Sequence, residues 1–441
     1  MRFSKPLLWL CGFLLMATLF SKGSEITQPA TVTAGADSCA NCAVAPSIKG
    51  FGTMEGGLIG NVISTQFSPP GAASSASFVN SPVSMPGYVR NLGVYNTTTA
   101  ANGSVARLAH MPNTGGFGQN AAEPHGISVF SGQAQGSFQD TVTFTRLETG
   151  DYYNVRQFRE GTTATNTFGG WSTEFIPDAG SPAPFFGQLI GTVAAGDTIW
   201  FGIVGASSNT TTEGNVGMPV PFSMTLSRFC VTISTAQPGT GSLVLTVRDS
   251  GANTALEITI PAGGALGMYC DLTNTAGLTG GTDWTAIQVV NNAPAAASGN
   301  IQGWSIGHAA ATGTMWAVCG TRDVGFANGT TNYWTLLTSQ TGTTETTQTS
   351  PWPLTNSATA TNFFVYIGTA GGAGSNTVFT MRENLAGSTM TATAAGAVSG
   401  IITGSGTLTL TRAETLSLEI VQSGGVASGT VGGFCFSIAA S

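Results

Sequence analysis

The stretch Arg228-Phe229-Cys230-Val231-Thr232-Ile233-Ser234-Thr235 reads as a β-strand. Phe229, Val231 and Ile233 share one face, and Cys230 and Thr232 share the other. A period of two sets one face on a core and the other toward solvent. Working outward, a Pro238-Gly239 turn leads to Ser242-Leu243-Val244-Leu245-Thr246-Val247-Arg248. Then come Thr254-Ala255-Leu256-Glu257-Ile258-Thr259-Ile260, a block at 283–290 beginning Asp283-Trp284, and a closing strand at 301–306. The same order returns downstream. Residues 362–369 match the first block, with Phe229 moving to Phe363, 134 positions on. Residues 378–382 match the second, with Arg248 moving to Arg382, again 134. Residues 414–421 match the Asp283 block at an offset of 131, and 431–438 match the closing strand. Four blocks in one order at nearly constant offset make an internal repeat.

A more divergent copy lies upstream. Residues 88–95 resemble the first block, 140–146 the second and 195–201 the Asp283 block, with an expected insertion at 97–135. Pro82 and Pro86, Pro219 and Pro221, and Pro351 and Pro353 precede the three first blocks. The chain has 441 residues, and at roughly 150 residues per domain that length suits three units. The expected layout is a signal peptide or membrane anchor at 1–23, a linker or extended arm at 24–48, and β-sandwich units at 49–212, 213–306 and 307–441. Each unit supplies about eight short strands, the scale of a two-sheet antiparallel sandwich. The Cys…Trp…Cys arrangement of immunoglobulin domains is absent, so the jelly roll is the preferred topology.

Composition agrees with an all-β chain. Charged residues are 8%, Gly is 61 of 441 and hydrophobic residues are 41%. Surface helices need Glu, Lys and Arg, and disordered chains carry high charge with few apolar residues. Lys5, Lys22 and Lys49 are the only lysines. The net charge is −7, and without the first 22 residues 11 basic side chains face 21 acidic ones. Such a surface is a poor match for phosphates, which argues against nucleic acid as a partner.

Arg2 and Lys5, the apolar run at 7–20, and the small residues Ser21 and Gly23 have the form of an export signal, with an uncleaved anchor as the alternative. This gives an extracytoplasmic expectation: secreted, cell-surface or virion-surface. Six cysteines follow that segment, and an oxidising compartment permits disulfides. Cys39 and Cys42 form a lone CxxC without a nearby His. Pairing within units, Cys230 with Cys270 and Cys319 with Cys435, is the simplest connectivity; free buried thiols are the alternative.

The segment 229–234, the Pro-Gly turn, Leu245-Thr246-Val247-Arg248, Ala255-Leu256-Glu257-Ile258-Thr259-Ile260, and a Gly-Asp before an apolar strand (Gly196-Asp197) together resemble the tandem β-sandwich modules of phage and viral structural proteins. That resemblance to capsid, fibre and spike modules covers about 390 residues and is architectural. It implies a structural role, with self-association into a homo-oligomer.

Chemistry-bearing residues are sparse. His110, His125 and His308 stand far apart in sequence, and no His-Glu-x-x-His occurs. The densest acids, Asp140, Glu148, Asp151, Glu160, Glu174 and Asp178, are interleaved with Arg146, Arg156 and Arg159. A hydrolase would draw on Glu148, Asp151 or Glu174; solvated loops and ion pairs are the plainer reading. Arg146, Arg248 and Arg382 are each followed by an acid, Glu148, Asp249 or Glu383. The expectation is an ion pair with that acid or another at a strand end. Trp334 and Trp352, beside Tyr333 and polar turns, are the candidates for glycan contact. No catalytic residue, metal ligand or cofactor is assigned. The expected function is a non-enzymatic shell, fibre or filament protein. A secreted adhesin that recognises a glycan or a cell-surface receptor is the alternative.

Overall fold

The computed structural model describes residues 50–52, 81–96, 104–111, 121–129, 133–134, 136–159, 168–178, 180–206, 210–294, 300–312, 315–326, 329–334, 341–342, 352–353, 358–411, 414–424 and 429–440. The export-like segment, the linker and Cys11, Cys39 and Cys42 lie outside them.

Strands account for nearly all regular structure. The first set is β1 (Gly50–Gly52), β2 (Ser81–Pro82), β3 (Gly87–Asn96), β4 (Ser104–Met111), β5 (Ala121–Val129), β6 (Gly136–Leu147), β7 (Tyr152–Arg159) and β8 (Phe168–Pro177). The second is β9 (Ala183–Thr192), β10 (Thr198–Phe201), β11 (Gly205–Ala206), β12 (Met218–Pro219), β13 (Met224–Ile233), β14 (Leu243–Asp249), β15 (Ala252–Ile260), β16 (Gly267–Leu278), β17 (Trp284–Asn291) and β18 (Asn300–Ala310). A short 3-10 helix, Glu213–Val216, precedes β12. The third is β19 (Met315–Phe326), β20 (Thr331–Trp334), β21 (Thr341–Gly342), β22 (Trp352–Pro353), β23 (Ala358–Thr369), β24 (Asn376–Glu383), β25 (Ala386–Ala395), β26 (Gly400–Thr403), β27 (Leu408–Leu410), β28 (Thr415–Ser423) and β29 (Gly429–Ala440).

Among the described residues, hydrogen bonding gives six sheets that pack in pairs. In the first sandwich the orders are β1-β8-β3-β6 and β2-β7-β4-β5. In the second they are β11-β9-β18-β13-β16 and β10-β17-β14-β15, with β12 also on β17. In the third they are β19-β29-β23-β26, with β27 also on β23, and β21-β20-β28-β24-β25, with β22 also on β28. Counted within each set, with the short strands β11, β12, β21, β22 and β27 left uncounted, every sandwich has one sheet in the order 1-8-3-6 and one in the order 2-7-4-5. That is the two-Greek-key arrangement of a jelly roll.

This pairing corrects five expectations. The boundary at 212 falls too late: β9 pairs with β18 and β10 with β17, so residues 183–206 belong to the second sandwich. The boundary at 306 lies inside β18 and moves to the 311–314 connection. Residues 195–201 are therefore the neighbour of the Asp283 block, not its counterpart in the first copy. The supposed insertion at 97–135 holds β4 and β5, the fourth and fifth strands of the first sandwich. Residues 140–146 consequently lie in the sixth strand, beside β3.

Local details recur with the topology. The third strand bulges at a left-handed residue in each sandwich: Asn91, Arg228 and Asn362, with φ of 55°, 53° and 52°. Opposite this bulge the sixth strand carries its own irregularity. Asp140 accepts hydrogen bonds from the Thr143 amide (3.2 Å) and hydroxyl (3.1 Å). Asp271 accepts from the Thr273 and Asn274 amides (3.1 and 3.0 Å) and reaches the Glu257 amide at 3.2 Å. Each seventh strand begins with a carboxylate-closed turn. Asp151 accepts from the Glu148 amide (2.8 Å), Asp283 from Thr279 (2.6 Å) and Glu414 from Thr411 (2.9 Å). Acidic side chains satisfy loop amides that strand pairing leaves unbonded.

The hairpin between the fourth and fifth strands needs positive φ at both central residues. Ser250-Gly251 meets this with 49° and 88°, and Asn384-Leu385 with 49° and 67°. Leu385 sits where a branched side chain is strained, at a cost of about 1–2 kcal/mol. Leu385→Gly is expected to raise the urea midpoint by the equivalent of about 1 kcal/mol, since some packing is given up. A lowered midpoint in equilibrium unfolding would contradict this.

Two cores fill the second and third sandwiches. The second is built on Phe229, Val231, Leu245, Leu256, Ile258, Val289 and Trp304. The third is built on Phe363, Val365, Phe379, Leu418, Ile420, Phe434 and Phe436. The sandwiches also pack on one another in a cycle. β2 lies against β18, β13 and β9; β12 lies against β29, β23 and β19; β22 lies against β8 and β3. Each second-strand segment thus covers the 1-8-3-6 sheet of the next sandwich, and the third returns to the first. All these strands fall in one compact unit, residues 45–441.

Candidate functional site

The seam between the second and third sandwiches is the best-defined junction. Its floor is the outer face of β23 and β29, where Gly368, Gly432 and Gly433 remove side chains. The 3-10 segment lies on this floor, backbone against backbone. A Cβ on Gly432 would stand 2.7 Å from the Gly214 carbonyl oxygen and 2.9 Å from the Gly217 nitrogen. Beside it, Trp284 and Tyr366 pack ring on ring, with centroids 4.9 Å apart. The double coverage makes β29 buried without a break from Val431 to Ile438. Such a strand shows no solvent face.

Arg248 fixes the segment that enters this seam. Its Nε donates to Glu213 Oε1 at 2.8 Å and its Nη2 to Oε2 at 3.2 Å, a two-pronged pair with both side chains mostly buried. It also donates to the Asn253 side chain and the Gly251 carbonyl. Arg382, its counterpart, pairs with Glu419 at 3.4 Å, donates to the Leu385 carbonyl and lies over the Tyr333 ring. These two arginines thus form ion pairs with Glu213 and Glu419, which lie far from them in sequence. Arg146 lies on the sixth strand, not the fourth. It does pair with Glu148 (2.8 Å), and also with Asp178 (2.5 Å), holding the Asp178 carboxyl below its usual range through that hydrogen bond.

The acids following the two equivalent arginines face other acids. Burial, and then the hydrogen bond and charge of Glu414, push Glu383 up to about 7, while Glu414 is lowered by the same hydrogen bond. Asp249 is raised likewise by burial and by the charge of Asp283. A carboxyl with a raised folded-state pKa binds its proton more tightly when folded. Its stabilisation is present below the unfolded value and is lost as pH rises through the folded one. The melting temperature is therefore expected to fall between pH 5 and pH 8, and Glu383→Gln to flatten that decline in a thermal scan. An unchanged slope would contradict the pairing.

His308 joins the second and third sandwiches. It stacks on Phe185 at 3.9 Å, and its Nε2 accepts from the Ala317 amide at 3.5 Å. Complete burial holds its pKa down to about 3, so it is neutral. Its side chain therefore packs as an aromatic ring. The side chains of His110 and His125 lie outside the described residues.

Both disulfides among the described residues are cross-strand. Cys230 of β13 is bonded to Cys270 of β16, and Cys319 of β19 to Cys435 of β29. The second bond lies against the core of the neighbouring sandwich and is buried at both ends. The first has Cys230 buried and Cys270 exposed.

The glycan expectation is corrected at Trp334. Its ring is 1% exposed and packs in the third core, because β20 pairs with β28 and turns the ring inward. Trp352 lies on β22, opposite Leu416 of β28, and its side chain is outside the described residues. Asp151 is buried in its turn, Glu148 is held in the Arg146 ion pair, and the side chain of Glu174 lies outside the described residues. Sequence reasoning missed the glycine seam altogether. The spacing of Gly214, Gly217, Gly368, Gly432 and Gly433 carries no periodic signal.

No family model matches this chain, and no curated protein matches it. Among solved structures it is similar to the infectious bursal disease virus VP2 subviral particle, with 13% identity, 58% of this chain and 72% of that one covered, and a TM-score of 0.16. It is also similar to the structure of the Gx strain of that virus, with 8% identity, 80% and 67% covered, and a TM-score of 0.13. At these scores neither superposes on this chain as a whole.

Proposed function

We propose that the chain is a non-enzymatic structural protein. It would form a shell, fibre or filament on a virion or another extracellular surface by self-association. The observation that supports this most is the cyclic packing of three jelly rolls within one polypeptide. Jelly rolls serve viral capsids and lectins, so the fold alone decides nothing. The cycle adds that each 1-8-3-6 sheet is already covered from within the chain. Contacts with further copies would then use the rims, where the fifth and sixth strands leave unpaired edges. The low charge of the chain, 8%, leaves little repulsion to overcome when such edges meet. Sedimentation and electron microscopy of the purified protein over a hundredfold concentration range test the reading. Defined higher assemblies are expected. Monomers at every concentration would overturn it.

A further inference from the structure

We infer that the Cys230–Cys270 disulfide is a thiol-exchange site that opens in the folded protein, while Cys319–Cys435 stays closed. Cys270 is exposed on β16, the edge strand of its sheet, so a small thiolate can reach its Sγ. Cys230 has no exposed surface and neither Cys319 nor Cys435 has more than 2%. Exchange requires direct attack on a sulfur, so access decides which bond reacts.

The step balances as follows. A low-molecular-weight thiolate of the glutathione type attacks Cys270 Sγ. The Cys230–Cys270 bond breaks as the new bond to Cys270 forms. The electron pair leaves on Cys230 Sγ, which takes a proton from solvent. A second thiolate then attacks the outer sulfur of the mixed disulfide. It releases the oxidised small disulfide and leaves Cys270 as a thiol.

Ser305 favours this direction. It stands opposite Cys230 across the β13–β18 ladder, so the two side chains share a face. Its hydroxyl is buried and has no hydrogen-bond partner. It can donate to the departing Cys230 thiolate, the one moment at which a strong acceptor arises there. Once open, β16 keeps its ladder with β13 and the Asp271 clamp, so the strand is untied without being unfolded.

The experiment uses the intact protein in graded reduced glutathione, quenched by alkylation and read by peptide mass spectrometry. Labels on Cys230 and Cys270, and a glutathione adduct on Cys270, are expected while Cys319–Cys435 stays oxidised. Opening of both bonds together, opening only in denaturant, or an adduct on Cys230 would overturn the inference. Ser305→Ala is expected to slow the first opening by roughly tenfold. An equal rate would remove Ser305 from the mechanism.

Discussion

Gly432→Val is expected to leave most of the chain insoluble, and any folded fraction destabilised by about 3 kcal/mol or more. The reason is the seam. At Gly432 the added atoms meet the Gly214 oxygen and the Gly217 nitrogen at 2.7 and 2.9 Å. These are main-chain atoms, held in place by the Arg248–Glu213 pair. A flexible side chain could swing aside, but this segment cannot move without breaking a mostly buried ion pair. Gly277→Ala serves as the control, because nothing lies within 4 Å of its added Cβ. It is expected to change stability by no more than about 0.5 kcal/mol. Soluble yield and urea midpoints of the two variants, side by side, check the prediction. Equal behaviour would show that the seam yields.

Trp304→Ala is expected to cost about 3–5 kcal/mol. Trp304 is 1% exposed and lies in the second core, 5.8 Å from the Phe201 ring. It lies so close to Gly187 that no Cβ fits there. Its Nε1 donates to the Ile203 carbonyl at 2.6 Å. Truncation therefore empties a cavity between β9 and β18 and orphans a buried carbonyl, two costs that add. Trp304→Phe keeps much of the volume and loses the donor, so an intermediate loss is expected. Thermal melts of the three proteins test this ordering. A Phe variant as damaged as the Ala variant would assign the effect to the hydrogen bond alone.

In the second sandwich, residues 229–233 and 301–308 are buried on both faces, so Cys230 and Thr232 do not meet the solvent that their alternation suggests. The fifth strand of that sandwich is legible because one face meets solvent. Thr and Glu alternate there with Leu and Ile, as in Leu256, Ile258 and Ile260 against Glu257 and Thr259. Residues 104–111 and 121–129 show no such contrast: Ala106 and Leu108 alternate with Arg107 and Ala109. They therefore passed for an insertion. The first strands of the second sandwich are hidden for another reason. β9 pairs with β18, more than 100 residues later, and no local pattern records a partner at that distance. Trp334 misled because its neighbours Asn332 and Tyr333 are polar, whereas the pleat turns its own ring to the core. The cysteine pairs lay within single sandwiches, where counting could suggest them. The glycine seam joins two sandwiches, and only their packing reveals it.

The cycle of sandwiches also bears on synthesis. The segment that covers the sheet of the first sandwich is β22, Trp352–Pro353. At roughly 5–20 residues per second it leaves the ribosome some tens of seconds after β3 does. For that interval the first sandwich has one uncovered face. Translation speed, and any chaperone that shields that face, therefore enter the yield of correctly closed protein. A rearranged gene that begins at the 311–314 connection would bring β22 out first and change which sandwich must wait.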